Sequence, residues 1–422
     1  MSGLIIAAPT SGAGKTTITL ALLRLLSRQG IAVRGAKSGP DYIDPRFHEA
    51  ACGAPCPNLD AWAMSPDRLR ALATGDGLLI IEGAMGLFDG APPDGKGAVA
   101  DLARLLQLPV VLVIDTARMA QSVAAMVAGY VHHDPRVRVA GLVLNNVGSD
   151  RHETMLRRAL ASLDLPILAA VRRDPALVQP SRHLGLVQAE ERPDLEAYLD
   201  TAATALKRSL DQTTLLNLAV PLPTAAPATQ LTPPAQIIAV AQDPAFAFSY
   251  PHMLQDWRDQ GAELQFFSPL ADQPVPDAGF VFLPGGYPEL HAGRLAGNIT
   301  FLESLRSASK HTDIYGECGG YMVLGDGLID AGGTRHAMAG LLSLETSFAT
   351  RKLHLGYRSL TPLGGPFTAP VSGHEFHFAS TIKVQGTPLF KACDAEGTQL
   401  PEMGLIQGHV SGSFAHVIDA SS

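Results

Sequence analysis

Residues Pro9-Thr10-Ser11-Gly12-Ala13-Gly14-Lys15-Thr16 set two glycines, a lysine and a hydroxyl at the spacing that grips a chain of phosphates. Gly12 and Gly14, lacking a Cβ, let backbone N–H groups close on phosphate oxygens. Lys15 neutralises the β/γ-phosphates, and Thr16 offers a hydroxyl to Mg2+, with Thr17 beside it. Pro9 stands where this pattern usually carries glycine. The expected ligand is a nucleoside triphosphate, ATP before GTP. Its metal calls for carboxylates, and two segments supply them, Gly39-Pro40-Asp41-Tyr42-Ile43-Asp44-Pro45 and Ile80-Ile81-Glu82-Gly83-Ala84-Met85-Gly86. An acid at the carboxyl end of a parallel strand faces the ligand crevice. Glu82 and Asp41 are therefore expected on Mg2+ with Thr16, and Asp44 with Tyr42 on the substrate side. Lys37 should add charge toward the phosphates, and the amide of Asn145 suits a purine edge.

A second constellation lies far downstream. Gly316-Glu317-Cys318-Gly319-Gly320 places a thiol between glycines, the arrangement that lifts a nucleophile on a sharp strand-to-helix turn. The helix N-terminus is expected to favour its thiolate. Pro284-Gly285-Gly286-Tyr287 supplies a loop able to aim N–H groups at a tetrahedral oxyanion. A base is also required. Nine histidines occur from His252 onward, and His416 follows a late Ser-Gly-Ser-Phe-Ala run. His374 and His377 would face opposite sides of a strand, a poor metal pair. Cys52 and Cys56 lack a second ligand pair and read as structural.

These groups need a scaffold. Apolar runs at 3–8, 31–37, 77–82, 109–115, 138–144 and 166–171 alternate with helical patterns, which predicts a parallel sheet covered on both faces. Residues 221–234 hold five prolines and no charge, the composition of an extended linker. A second α/β pattern restarts at 236–241 and becomes more mixed toward the C-terminus. The expected division is a nucleotide-binding domain over 1–212, a linker over 213–234 and a second domain over 235–422.

Composition narrows the function classes. Hydrophobic residues make up 46% of the 422, so global disorder is excluded. A formal charge of −8 argues against nucleic acid as a partner. Anionic ligands must then be held by a few placed cations, with Lys15, Lys37, Arg46, Arg172 and Arg173 expected in one crevice. No apolar run reaches membrane-span length, no secretion signal is evident, and four cysteines are too few for a disulfide scaffold. A cytoplasmic protein is expected.

The phosphate loop, GPDYIDP, IEGAMGLFDG, PGGYPEL, GECGGYM, GHEFH and SGSFAH occur in the order found in the cobyrinic acid a,c-diamide synthase family, and the sequence most resembles its cobalt-free, hydrogenobyrinic acid branch. The resemblance implies a dethiobiotin-synthetase-like P-loop domain followed by a class I glutamine amidotransferase domain. It implies Cys318 as glutaminase nucleophile, His416 as its base, and Gly285 and Gly286 in the oxyanion loop. Class I amidotransferases often carry Glu two residues after the histidine; here that residue is Ile418, followed by Asp419. The implied reaction joins both sites. A corrinoid carboxylate takes the γ-phosphate of ATP, and ammonia from glutamine displaces phosphate, at the a and c side chains in turn. Nickel sirohydrochlorin or the other corrin carboxylates are alternative acceptors. A partition-type ATPase would carry a lysine where Thr10 stands. A homodimer is the default assembly.

Overall fold

A computed structural model describes residues 2–182 and 185–421. The chain divides into two compact units, Met1–Ala228 and Thr229–Ser422.

In the first unit seven strands, β1 (Ser2–Ala7), β2 (Val33–Ser38), β3 (Asn58–Leu59), β4 (Leu78–Glu82), β5 (Val110–Asp115), β6 (Val139–Val147) and β7 (Ile167–Arg172), run parallel in the order β3-β2-β4-β1-β5-β6-β7. Their near-continuous aliphatic sequences suit strands buried on both faces. Leu4, Ile5, Ile6, Ile80, Ile81 and the whole of Val110–Ile114 are inaccessible to solvent. Register decides which polar residues meet at the carboxyl edge. Lys37 and Ile6 both lie opposite Glu82, and Asp115 lies opposite Asn145. Helix α1 (Lys15–Arg28) starts directly after the β1 loop and buries Ile18, Leu22, Leu25 and Leu26. Helix α2 (Asp44–Cys52) begins where Asp41 Oδ1 accepts from the amides of Ile43 and Asp44 at 2.8 and 3.0 Å.

One boundary differs from expectation. Residues 213–221, read as linker, belong largely to the first unit: Gln212–Leu218 is a helix and Val220–Pro221 pairs antiparallel with β1. Asp211 caps that helix by accepting from Thr214 N at 3.0 Å, and Leu215 is fully buried. The proline argument applies only from Pro221 onward.

The second unit is built on a six-stranded sheet in the order Glu263–Phe267, Ile237–Ala241, Phe280–Leu283, Asp313–Glu317, Val410–Ser413 and Leu405–Gln407. The first five are parallel and the last is antiparallel. A separate antiparallel sheet aligns Phe390–Cys393, His354–Pro362, Val371–His377 and Ala415–Ala420, and its register sets His374 opposite His416. Among the described residues no helix is long and apolar enough to cross a membrane.

Candidate active sites

In the first unit the loop after β1 enters α1 through Gly14, whose φ is +94°. The Asn145 side chain lies directly beneath. Its Nδ2 donates to Ala13 O at 2.9 Å and would stand 2.1 Å from a Cβ on Gly14. Asn145 therefore shapes the phosphate loop; the expected reading of a purine edge has no support in this contact. Lys15 Nζ donates to the carbonyls of Thr10 and Met85, which holds the ammonium along the loop. Burial and the neighbouring Lys37 pull its pKa down to about 8, a deficit that an incoming phosphate would offset.

Thr16 Oγ1 donates to Glu82 Oε1 at 2.6 Å and lies 3.5 Å from Asp44 Oδ2. Glu82 is fully buried and also meets His48 Nε2 at 2.6 Å, while Cys56 Sγ sits 3.2 Å from the other nitrogen of His48. Burial opposes ionisation of Glu82, but Lys37 and the His48 bond outweigh it and hold the carboxyl below the usual range. Lys37, expected toward phosphate, instead lies between Glu82 Oε1 at 2.7 Å and Asp44 Oδ2 at 2.5 Å. Asp44, expected toward substrate, thus shares the Thr16–Glu82 cluster. Asp41 gives one oxygen to the α2 amides, and its other lies 3.9 Å from Lys37. Tyr42 is buried, and Thr17 contacts the Tyr198 hydroxyl at 3.2 Å. Arg46 pairs with Glu49, Arg172 with Asp150 and Glu153, and Arg173 donates to Ala117 O. The expected pooling of arginine charge is therefore not what these side chains do. Arg46 serves a neighbour on its own helix, Arg172 reaches back to the helix before β7, and Arg173 to the segment after β5.

In the second unit Cys318 sits at the turn from strand Asp313–Glu317 into helix Gly319–Leu324, with φ 46° and ψ −102°. That is a strained conformation for a residue with a Cβ, of the kind concentrated at functional sites. Its amide is tied to Ser413 O at 2.8 Å. A Cβ on Gly320 would lie 2.0 Å from Leu283 O, so only glycine lets the turn close on the neighbouring strand. The Gly285 loop reaches the same point. A Cβ there would lie 2.3 Å from His416 Cε1 and 3.2 Å from Cys318 Cβ. Gly286 N lies 3.0 Å from where Gly319 would carry a Cβ, so the loop amides line the turn. The Cys318 thiol, the His416 imidazole and the Gly285 loop thus converge.

The surroundings of Cys318 oppose the expected thiolate. Burial first, then Glu289 and other nearby carboxylates, push the Cys318 thiol well up, and the bond to Gly319 N does not compensate. Burial likewise drives His416 down to about 3, so the imidazole is neutral and able to accept a proton.

Two groups went unnoticed in the sequence. Glu317, next to the nucleophile, places Oε2 3.7 Å from His416 Nδ1 and accepts from Val417 N at 2.9 Å. His354, Glu375 and His377 bring ligand-capable atoms within 4.8 Å of one another. The pair on this strand is thus Glu375 with His377, two residues apart and on one face, and not His374 with His377. Glu375 is held by Arg358 at 2.7 Å and by His377 at 2.9 Å.

Residues 4–187 match the CobQ/CobB/MinD/ParA nucleotide binding domain, and residues 237–422 match the CobB/CobQ-like glutamine amidotransferase domain. The chain is 54% identical to the hydrogenobyrinate a,c-diamide synthase of Brucella abortus biovar 1 (strain 9-941), covering 100% of this chain and 99% of that one. It is 54% identical to the protein of the same name from Rhizobium meliloti (strain 1021), over the full length of both. With that of Rhodobacter capsulatus the identity is 50%, over 99% and 98% of the two chains.

Proposed function

The chain belongs to the hydrogenobyrinate a,c-diamide synthase family, and from that premise we propose that it amidates the a and c carboxylates of hydrogenobyrinic acid, using ATP and glutamine. The observation that carries the reading is that one chain holds two half-sites. One is a phosphate loop with Thr16 on Glu82, and the other is Cys318 and His416 gathered against Gly285.

In the amidotransferase unit Cys318 gives its proton to His416, and the sulfur attacks the side-chain amide carbon of glutamine. The Gly285–Gly286 amides face the oxyanion. The imidazolium returns the proton to the departing nitrogen, which leaves as ammonia. Water then hydrolyses the glutamyl thioester. In the nucleotide-binding unit a substrate carboxylate attacks the γ-phosphate of ATP and ADP departs, because a free carboxylate has no adequate leaving group. Ammonia displaces phosphate from the acyl phosphate to give the amide. Lys15 and the loop amides hold the phosphates in line.

The donors at Thr16 fit Mg2+. One hydroxyl and two carboxylates, Glu82 and Asp44, form an all-oxygen set within 3.5 Å of the hydroxyl, and a cation, the Lys37 ammonium, already bridges those carboxylates. Bound there with ATP, Mg2+ would neutralise charge on the transferring phosphoryl group.

Cys318→Ala should abolish glutamine hydrolysis and glutamine-dependent amidation while ammonia still supports synthesis. An unchanged glutaminase rate would sink the reading. The acceptor is tested by offering ATP, Mg2+ and glutamine with hydrogenobyrinic acid, cobyrinic acid or nickel sirohydrochlorin, and comparing kcat/KM. A preference for either of the last two would move the assignment to that ring. The free thiols at Cys52, Cys56, Cys318 and Cys393 suit a reducing cytoplasm. A homodimer is expected, and light scattering on the purified protein would check it.

A further inference from the structure

The glutaminase site as read above has a nucleophile and a base, and besides the Phe248 backbone bond to the base it needs a carboxylate to meet the charge the imidazole gains. The position two residues after His416 is Ile418, fully buried and apolar. Asp419 lies at the far end of the strand, opposite Ser372, and its Oδ1 accepts from Ala420 N. A carboxylate reaches the imidazole from another direction. Glu317 is 1% exposed, His416 is inaccessible, and Oε2 of one stands 3.7 Å from Nδ1 of the other. Strand pairing sets Glu317 opposite Ser413, three residues before His416. The second carboxylate oxygen accepts from Val417 N at 2.9 Å, so the group is anchored to the backbone next to the histidine it faces.

We propose that Glu317, the residue immediately before the nucleophile, is the positioning residue of the glutaminase site, holding His416 through Nδ1 so that Nε2 serves Cys318. The proposal rests on the glutaminase reading of Cys318 and His416. When the Cys318 proton passes to Nε2, the imidazolium carries N–H at both ring nitrogens, and Nδ1–H donates to Glu317. The proton leaves Nε2 again with the ammonia, and the cycle repeats as water attacks the thioester, so Glu317 itself ends each turnover unchanged.

The surroundings give this pair a reason to form. His416 is faced by Glu317, by His374 and His377 from the neighbouring strand, and by the Phe248 backbone, while Tyr315 bonds to Glu317, Glu289 and Glu375 face Cys318, and Arg358 acts on His374 and Glu375. Burial drives the Glu317 carboxyl up to about 8 and the imidazole down to about 3. Each charge is costly alone, and an imidazolium beside a carboxylate relieves both.

The test follows glutamine hydrolysis from pH 6 to 9.5 in the full-length protein and in Glu317→Gln, Glu317→Asp, His416→Ala and Cys318→Ala variants. For Glu317→Gln, kcat should fall by about 10²-fold with KM within about threefold, the pH profile should lose its ascending limb, and Glu317→Asp should recover part of the rate. A kcat within twofold of the parent with the same pH profile would overturn the proposal. If Cys318→Ala and His416→Ala are inactive while Glu317→Gln is not impaired, only the role of Glu317 fails. If Cys318→Ala keeps its glutaminase rate, the underlying reading fails. The parent protein gives an answer that needs no folded variant. The 15N shifts of the His416 ring at pH 9 should report the Nδ1–H tautomer, and an Nε2–H tautomer there would overturn the assignment.

Discussion

Lys37 Nζ lies 2.7 Å from Glu82 Oε1, and both side chains are buried beneath the phosphate loop. The same carboxylate oxygen accepts from Thr16. The pair is a consequence of register, since β2 and β4 run parallel with these two residues opposite each other. Its energetics are those of a buried charge that is tolerable only when matched. Asp44 on the same ammonium is pushed up by burial and by Asp41, which adds to the demand for a cation.

Lys37→Met should therefore cost about 3–5 kcal/mol of unfolding free energy in the nucleotide-binding unit, because it strands the Glu82 carboxylate in the interior. The double variant Lys37→Met/Glu82→Gln should recover part of that loss. Urea unfolding followed by Trp62 fluorescence, in a Trp257→Phe background, measures both. Strictly additive losses would mean that the two groups do not depend on each other.

Gly14→Ala should cripple the ATP half-reaction. The new Cβ would meet Asn145 Nδ2 at 2.1 Å on a backbone held at φ +94°. Ammonia-dependent amidation should fall by at least ~10-fold, the equivalent of ~1.4 kcal/mol of strain at this one position. Glutamine hydrolysis assayed without ATP should be retained. Adding Asn145→Ala should restore little, since relief of the clash leaves the positive φ in place.

Gly285→Ala should do the reverse. A methyl 2.3 Å from His416 Cε1 must displace the ring from Cys318, and a shift near 1 Å can cost about 10²-fold in rate. Glutamine-dependent amidation should fall accordingly while the ammonia-dependent rate persists. Equal losses with both nitrogen sources would place Gly285 outside the glutaminase site.

How much of this could be read from the chain depends on the range of the interaction. The phosphate loop and the Cys318 turn were legible because their geometry is made locally, by glycines within a few residues of the group they expose. The parallel sheet was legible for a similar reason, since aliphatic runs such as Val110–Ile114 suit little else. The roles of Lys37, Asp44 and Asn145 were not. Each is set by a partner that register or helix packing delivers, Glu82 from β4 in one case and Ala13 from the phosphate loop in another. His48 carried a faint signal, four residues after Asp44 on one face of α2, but its contact with Glu82 is 34 residues long-range. Glu317 stood beside the nucleophile in plain view. The positions following the histidine hold Val417 and Ile418, whereas the fold brings the carboxylate in from the strand that ends at the nucleophile.

Stability of the amidotransferase unit should peak near pH 6.5, for reasons that can be worked group by group. His416 and His374 are lowered by burial from 6.5 to about 3 and about 4, so below pH 6.5 the unfolded chain binds protons that the folded one refuses. Their contribution is complete above pH 6.5 and is lost as pH falls toward the folded values, at about 1.4 kcal/mol per pH unit for each. Glu317 acts with the opposite sign. Its carboxyl is raised from 4.5 to about 8, so the folded state keeps a proton that the unfolded state has released, and stability drains as pH rises from about 4.5 to about 8. Between pH 4.5 and 6.5 two histidines outweigh one carboxyl and stability climbs. Between 6.5 and 8 only the carboxyl is still in play, and stability declines by about 2 kcal/mol. Urea titrations at half-unit pH intervals, read by Trp257 in a Trp62→Phe background, would trace the dome. Glu317→Gln should level the alkaline side while leaving the acid side steep, because a side chain that cannot ionise has no proton to lose. Persistence of the same decline in that variant would show that another group carries it, and that Glu317 is already ionised in the resting protein.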